Sequence, residues 1–283
     1  MITAQASAKI HLIGEYSAIW GKPAIIFPID LKLSTEVQKS KTETKKESFQ
    51  KAIETKIEKL FQKKVPAYSL KIDSQIPTGS GLGSSAALSA SLTLALLKLI
   101  NIKAPRQKVF EIAIEGEKVF HGFPSGSDLW TVILKKPIWF RKETADLMTV
   151  TPLDFKIPQL FLINSGKPYE STKQMVDFVT KNVSKATQEQ FANNQEELTK
   201  QMFYALKNSG QITNIIRGAH KNLAKLGVVS KGAGRIIKEV ENLGGAAKIT
   251  GAGGRKEGSG MIIAFHKQPK KLKSLGYKLI KIK

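Results

Sequence analysis

The 283-residue chain contains no cysteine, which removes disulfides and thiolate metal sites from consideration and fits a reducing compartment. Acidic residues are scarce: 23 Asp and Glu stand against 45 Lys and Arg, a formal net charge of +22. Such an excess raises nucleic acid as a partner. The lysines, however, are scattered, with only short runs at Lys45-Lys46, Lys63-Lys64 and Lys270-Lys271. An arginine-rich arm, a Cys/His finger and an alternation of basic with aromatic residues are all missing, which argues against nucleic acid as the principal partner. A lysine-rich proteome bias and a generally solvated surface explain the charge equally well, and a positive field would also help draw in polyphosphates and acidic metabolites. Aromatic residues make up 7% of the chain, and Trp130 and Trp139 read as core residues, not stacking platforms. The four histidines (11, 121, 220 and 266) lack metal-ligand spacing and read as structural.

Long apolar runs are missing too. The opening MITAQASAKIHLIGEY has neither the basic start nor the continuous apolar core of a signal peptide. The uncharged stretch Gly79–Leu97 is interrupted by Gly79, Gly81, Gly83, Ser84, Ser85, Ser89 and Ser91, leaving an apolar part too short to cross a bilayer. It reads as a buried helix. A cytoplasmic protein without a membrane span is expected, and its oligomeric state stays open, a homodimer included.

What is present is a mixture of strand and helix patterns in both halves, at a length that accommodates two modest domains. Strands are predicted at Ala8–Ile13, Ala24–Ile29, Tyr68–Ile76, Ile138–Arg141, Gln159–Ile163, Ala246–Thr250, Met261–Phe265 and Tyr277–Ile282. Helical periodicity marks Ser48–Lys63, Ser85–Ile100, Arg106–His121, Ser171–Asn182, Gln188–Asn208, Gln211–Leu226 and Lys231–Asn242. Gly14–Lys22 and Gly122–Asp128 read as loops, and Lys39–Lys51 as an exposed Lys/Thr/Glu-rich interruption. The pattern predicts an α+β chain of two domains, 1–153 and 154–283, divided at Asp154–Pro158 where Pro152 and Pro158 flank the boundary.

Pro77-Thr-Gly-Ser-Gly-Leu-Gly-Ser-Ser-Ala-Ala87 lies between a strand and an apolar helix. Glycines at 79, 81 and 83 allow tight turns that expose successive N–H groups, and the positive end of the next helix adds to them. Together they make a polyphosphate site, with Ser84 and Ser85 supplying hydroxyls where a metal-bound phosphate would lie. The spacing is neither that of a Walker A loop nor the Rossmann fingerprint, and a glycine triplet by itself serves equally as a connector.

Downstream, Glu115-Gly-Glu-Lys-Val-Phe-His-Gly-Phe-Pro-Ser-Gly-Ser-Asp128 holds the most suggestive acids. At about 100° per residue, Lys108, Glu111, Glu115 and Lys118 share a polar helix face. Glu117 lies roughly 120° away, beside Phe110 and Ala113. A carboxylate on that inward side needs a partner, either Mg²⁺ or a lysine at the rim. Asp128 follows a Pro-Ser-Gly turn and is a candidate base or anchor for a substrate hydroxyl; turn and cap aspartates look the same. Lys9 interrupts an apolar strand, where a lysine ordinarily faces solvent but beside an aspartate and a γ-phosphate would stabilise transferring charge.

Three segments together resemble the GHMP kinase superfamily (galactokinase, homoserine kinase, mevalonate kinase and phosphomevalonate kinase), and within it the mevalonate kinases. They are Ala8-Lys-Ile-His-Leu-Ile-Gly-Glu-Tyr-Ser-Ala-Ile-Trp-Gly-Lys-Pro-Ala24, Pro77–Ala87 and Lys248-Ile-Thr-Gly-Ala-Gly-Gly254. His121–Asp128 and Gly166-Lys-Pro-Tyr-Glu-Ser-Thr-Lys173 add to the likeness, which spans nearly the whole chain. The resemblance implies an N-terminal domain like ribosomal protein S5 domain 2 and a ferredoxin-like C-terminal domain. It implies ATP-dependent phosphorylation of a small-molecule alcohol, mevalonate in first place, with phosphomevalonate or a sugar as alternatives. A non-catalytic nucleic-acid-binding protein of the same fold is the reading from a different class. ATP would contact Gly79, Ser80, Gly81, Leu82, Gly83, Ser84, Ser85 and Ala86, and Gly251, Ala252 and Gly253 would close over the phosphates. Ser85 and Glu117 would hold Mg²⁺, Asp128 and Lys9 would be catalytic, and Glu15, Tyr16 and Thr172 would lie near the acceptor. The chain departs from the family pattern at Tyr16, where histidine is usual, at Ser127, where an aliphatic residue is usual, and at the bulky Leu129-Trp130. Leu134-Lys-Lys-Pro137 replaces Tyr-Gly-Gly, and Gly-Gly-Arg-Lys-Glu-Gly258 replaces a more glycine-rich run with cysteine.

Overall fold

A computed structural model describes residues 1–42, 44–144, 147–155 and 158–282. Two compact units interleave along the chain. Met1–Lys9, Asp30–Thr78 and Gly83–Lys136 make the first; Ile10–Ile29, Gly79–Leu82 and the chain from Pro137 onward make the second. The sequence-based boundary at Asp154–Pro158 includes Lys156 and Ile157, which lie outside the described residues, as does Glu43 of the Lys39–Lys51 interruption.

Strand β1 (Ile2–Ile13) neighbours β2 (Ala24–Lys39). Both exceed their predicted lengths. The first half of β1 buries Ala4, Ala6 and Ala8, and alanine carries little strand signal although the alternation is there. In β2 the exposed Asp30 masks a period-2 pattern that resumes with buried Leu33, Thr35 and Val37.

In the first unit, Leu33–Lys39 of β2 pairs antiparallel with β3 (Tyr68–Ser74), from Leu33 opposite Ser74 to Lys39 opposite Tyr68. Helix α1 (Ser48–Phe61) starts at a capping box between Glu47 and Gln50 and buries Phe49, Ile53 and Ile57, four residues apart. Helix α2 (Ser84–Leu99) begins after Gly83 and is buried on nearly every side, as its uninterrupted apolar and small residues require. Helix α3 (Arg106–His121) turns Val109, Ile112 and Ala113 inward while Lys108 pairs with Glu111 and Lys118 with Glu115 outside. The core gathers Ile53, Ile57, Tyr68, Leu92, Leu96, Val109 and Ile112, each buried aliphatic side chain stabilising the fold by about 1.5–3 kcal/mol. Helix α4 (Ser127–Leu134) is not expected from the sequence: the predicted loop Gly122–Asp128 ends two residues early, at Gly126, whose φ of 86° starts a helix that buries Leu129, Trp130 and Val132.

In the second unit, Ala24–Ile26 of β2 pairs with β4 (Ile138–Lys142), which carries β5 (Met148–Pro152) on its other edge. Strand β5 was not predicted; Met148, Thr149, Val150 and Thr151 offer too few large apolar side chains to announce it. Strands β6 (Leu160–Asn164), β7 (Ala246–Ile249), β8 (Met261–Phe265) and β9 (Leu279–Lys281) form an antiparallel sheet in the spatial order β7-β8-β6-β9. Helices α5 (Thr172–Asn182), α6 (Lys185–Lys207), α7 (Thr213–Lys225), α8 (Lys231–Asn242) and the short α9 (Lys270–Lys273) complete the unit. Ile163, Met175, Phe191, Leu223, Ile237 and Ile262 belong to its core. Among the described residues no helix is long and apolar enough to cross a membrane.

Gly116 on α3 faces side chains of both α1 and α2: a Cβ there would stand 2.7 Å from Ser89 Oγ and 2.9 Å from Ile53 Cδ1. The valine in Gly116→Val must displace the side chains of Ser89 and Ile53. It is expected to destabilise the protein by about 1–3 kcal/mol, read as a lowered midpoint in thermal or urea unfolding.

Candidate active site

Within the first unit the polar residues singled out from the sequence converge. Lys9 enters from β1 with only 2% of its surface exposed and places Nζ 2.9 Å from Asp128 Oδ2. Its alkyl stem lies along the backbone of Gly83: a Cβ on Gly83 (φ +75°) would be 2.9 Å from both Cγ and Cε of Lys9. Glycine at 83 is therefore needed twice, for the left-handed turn that starts α2 and for passage of the lysine. Asp128 occupies the first turn of α4 and is not on an extended loop. Ser127, the residue that departs from the family pattern, donates its hydroxyl to Asp128 Oδ1 at 3.3 Å. Ser125 in turn accepts a hydrogen bond from the Ser127 backbone N–H.

On the neighbouring helix ends, Ser85 Oγ lies 2.9 Å from His121 Nε2, and His121 Nε2 is 4.0 Å from Glu117 Oε2. Glu117 is 4% exposed, as its phase on α3 required, and its Oε1 has no hydrogen-bond partner among the described residues. Burial, reinforced by the negative charge of Asp128, pushes its carboxyl up to about 7; the Ser85 hydroxyl and Lys9 act in the opposite direction. Burial also lowers the basicity of His121. Ser84 and Ala86 share the first turn of α2 with Ser85. Among the described residues no group of three His, Asp or Glu side chains gathers to hold a metal ion.

Within the second unit, Gly79, Ser80, Gly81 and Leu82 meet the last glycine segment backbone to backbone. A Cβ on Gly81 (φ +82°) would stand 2.3 Å from Thr250 O, so only glycine fits. The Met261 N–H donates to Ser80 O at 3.0 Å, and Leu82 is buried. Glu15 is 1% exposed and pairs with the equally buried Lys248, whose Nζ also donates to His11 O (3.2 Å) and Ile249 O (2.9 Å). Tyr16 donates its hydroxyl to Ala252 O at 2.6 Å. Gly251 and Gly253 flank that carbonyl in the chain. Thr172 lies exposed on the first turn of α5, next to the capping residue Ser171, and does not join the Glu15–Lys248 cluster.

Three residues of these sites escaped the sequence reading. His121 was taken as structural, but its spacing of four from Glu117 on one helix face was the available signal. Lys248 sits in a wholly buried strand, Ala246–Ile249, and repeats the Ala-Lys-Ile triplet that had drawn attention to Lys9. Lys167 carries its Cε within 3.6 Å of where a Cβ on Gly79 would be, a proximity with no sequence signal.

Residues 47–136 match the model of the GHMP kinases N terminal domain. The mevalonate kinase of Thermococcus sibiricus is 25% identical over 295 residues, spanning 89% of this chain and 86% of its own length. Of solved structures, the Methanococcus jannaschii mevalonate kinase matches with a TM-score of 0.83 at 18% identity, over 99% of this chain and 97% of that one. The Streptococcus pneumoniae phosphomevalonate kinase in complex with phosphomevalonate and AMPPNP matches with a TM-score of 0.81 at 19% identity, over 99% and 98%. At these identities the structural likeness shows the fold alone. It is the α+β, two-domain GHMP kinase fold that the motifs implied.

Removing one member of a buried ion pair strands the other. Lys248→Met is expected to cost about 3–5 kcal/mol, and the double variant Lys248→Met/Glu15→Gln to recover most of it, in chemical denaturation at neutral pH.

Proposed function

We propose, for a chain with the GHMP kinase fold and a GHMP kinases N terminal domain, that it transfers the γ-phosphoryl group of ATP to an alcohol, with mevalonate as the acceptor and 5-phosphomevalonate as the product. The observation that carries the reading is the Lys9–Asp128 pair beside Ser85 and Glu117, because it joins a hydroxyl acceptor, a fixed positive charge and oxygen ligands in one unit.

The phosphoryl group passes through a loose transition state, so the protein contributes chiefly position and electrostatics. The acceptor oxygen bonds to the γ-phosphorus as the bond to the β,γ-bridging oxygen breaks and ADP leaves. Asp128, with a side chain 30% exposed, would accept a hydrogen bond from the acceptor hydroxyl, which aims a lone pair at phosphorus and gives the proton a route out. Lys9 holds that carboxylate and places a buried positive charge where negative charge moves from oxygen to oxygen. The N-terminus of α2, which begins after Gly83, is suited to phosphate oxygens.

Mg²⁺ fits the residues present: Glu117 offers a buried carboxylate oxygen without a hydrogen-bond partner and Ser85 a hydroxyl, hard oxygen donors that phosphates and water would complete. When bound, the ion would neutralise charge on the phosphates. In this reading the segments Gly79–Ala86 and Gly251–Gly253 are assigned to the nucleotide, and Glu15, Tyr16 and Thr172 to the acceptor side.

A coupled ADP-release assay over mevalonate, phosphomevalonate, homoserine and galactose tests the acceptor; turnover of mevalonate is expected, and its failure beside turnover of another alcohol reassigns the substrate within the fold. Asp128→Ala is expected to lower kcat by about 10²–10⁴-fold while ATP binding, followed by titration calorimetry, stays measurable. Equal loss of turnover and binding would make Asp128 a structural residue.

A further inference from the structure

Tyr16 stands where the resembling kinases carry histidine, a position the motif assigns to the acceptor. Its environment points elsewhere. The hydroxyl is engaged by the carbonyl of Ala252 at 2.6 Å, in the middle of the Gly251–Gly253 segment. The ring meets Phe191 edge to face, with centroids 6.5 Å apart, and Phe191 is packed on its other contact by Trp20 at 5.6 Å. The residue before it, Glu15, is locked by Lys248, which also grips His11 O. The backbone N–H of His11 donates to Thr250 Oγ1 at 2.9 Å, a second tie between the same two segments.

Tyr16 is also held in a costly conformation. Its φ of 65° and ψ of −13° put a bulky aromatic residue in the left-handed region, which costs of order 1–3 kcal/mol and persists only where surrounding contacts enforce it. A residue that served only to fill space would not need this geometry; the turn aims the phenol at one carbonyl. That carbonyl belongs to a segment whose neighbour Gly251 has no room for a side chain, since a Cβ there would lie 2.8 Å from Gly81 Cα. Fixing Ala252 therefore fixes the seat of the first glycine segment as well, all within the second unit.

We propose that Tyr16 is a positioning residue for the nucleotide: its hydroxyl holds the Gly251–Gly253 segment in the shape that receives phosphate, and it makes no bond to the alcohol. The inference rests on the kinase reading above, in which Gly251–Gly253 contact ATP, and it moves Tyr16 from the acceptor side of that reading to the nucleotide side.

Tyr16→Phe removes the hydroxyl alone. Loss of one such hydrogen bond is expected to weaken ADP binding about three- to tenfold by titration calorimetry and to raise the KM for ATP in parallel, with the KM for the alcohol unchanged within about twofold. Amide hydrogen exchange is expected to quicken at Gly251–Gly253 and to stay unchanged in β6 and β8. A rise in the alcohol KM alone would return the hydroxyl to the acceptor, and unchanged nucleotide binding together with unchanged exchange would show that it positions nothing; either overturns the proposal. The ADP and exchange measurements need no turnover, so a wrong choice of alcohol leaves them decisive. Failure of the unsubstituted protein to bind ADP would overturn the kinase reading and this inference together.

Discussion

An ammonium group taken out of water must be met by negative charge or carbonyl oxygen, and this chain buries two that are. Lys9 and Lys248 occupy the centre of matching Ala-Lys-Ile triplets, one in each unit, and each is closed off by its strand and by what packs over it. The acid that answers each lysine cannot wander without stranding a buried charge. Asp128 thereby fixes the first turn of α4, and Glu15 fixes the turn that carries Tyr16. The two pairs differ in access. The Asp128 side chain is 30% exposed, whereas both partners of Lys248–Glu15 are shut away. The same device thus stands partly in reach of solvent in one unit and is sealed within the other.

The residues that break the family pattern near Asp128 are accommodated by packing and leave the aspartate in place. Trp130 is buried and stacks on Phe110 with centroids 4.5 Å apart, so its bulk goes into the joint between α3 and α4. Ser127 adds a hydroxyl to the carboxylate it precedes. The solved structures of similar shape include a mevalonate kinase and a phosphomevalonate kinase, so shape alone does not select the alcohol. That choice rests on the relatives matched over most of the chain.

Much of this was legible before the structure. The inward phase of Glu117 followed from a 100° step along α3, and the pairs Lys108–Glu111 and Lys118–Glu115 stand on the opposite face as that step requires. Gly81 and Gly83 announced themselves as backbone positions, although what they give way to, Thr250 O and the stem of Lys9, is tertiary information. Helix α4 was hidden because its start is a glycine turn and its eight residues span barely two turns of periodicity. The early part of β1 was hidden because alanine, small enough to be buried under helices, carries little preference for strand. The tie from Tyr16 to Ala252 joins segments 236 residues apart, and nothing local to either announces it.

The Lys248–Glu15 pair also says something about descent. A lineage that lost either residue first would have to survive with a bare charge in its interior, while a lineage changing both at once would need two coincident substitutions. Drift can therefore rewrite the surface around the pair far more easily than the pair itself. Two positions 233 residues apart thus constrain each other's substitution as a single site would.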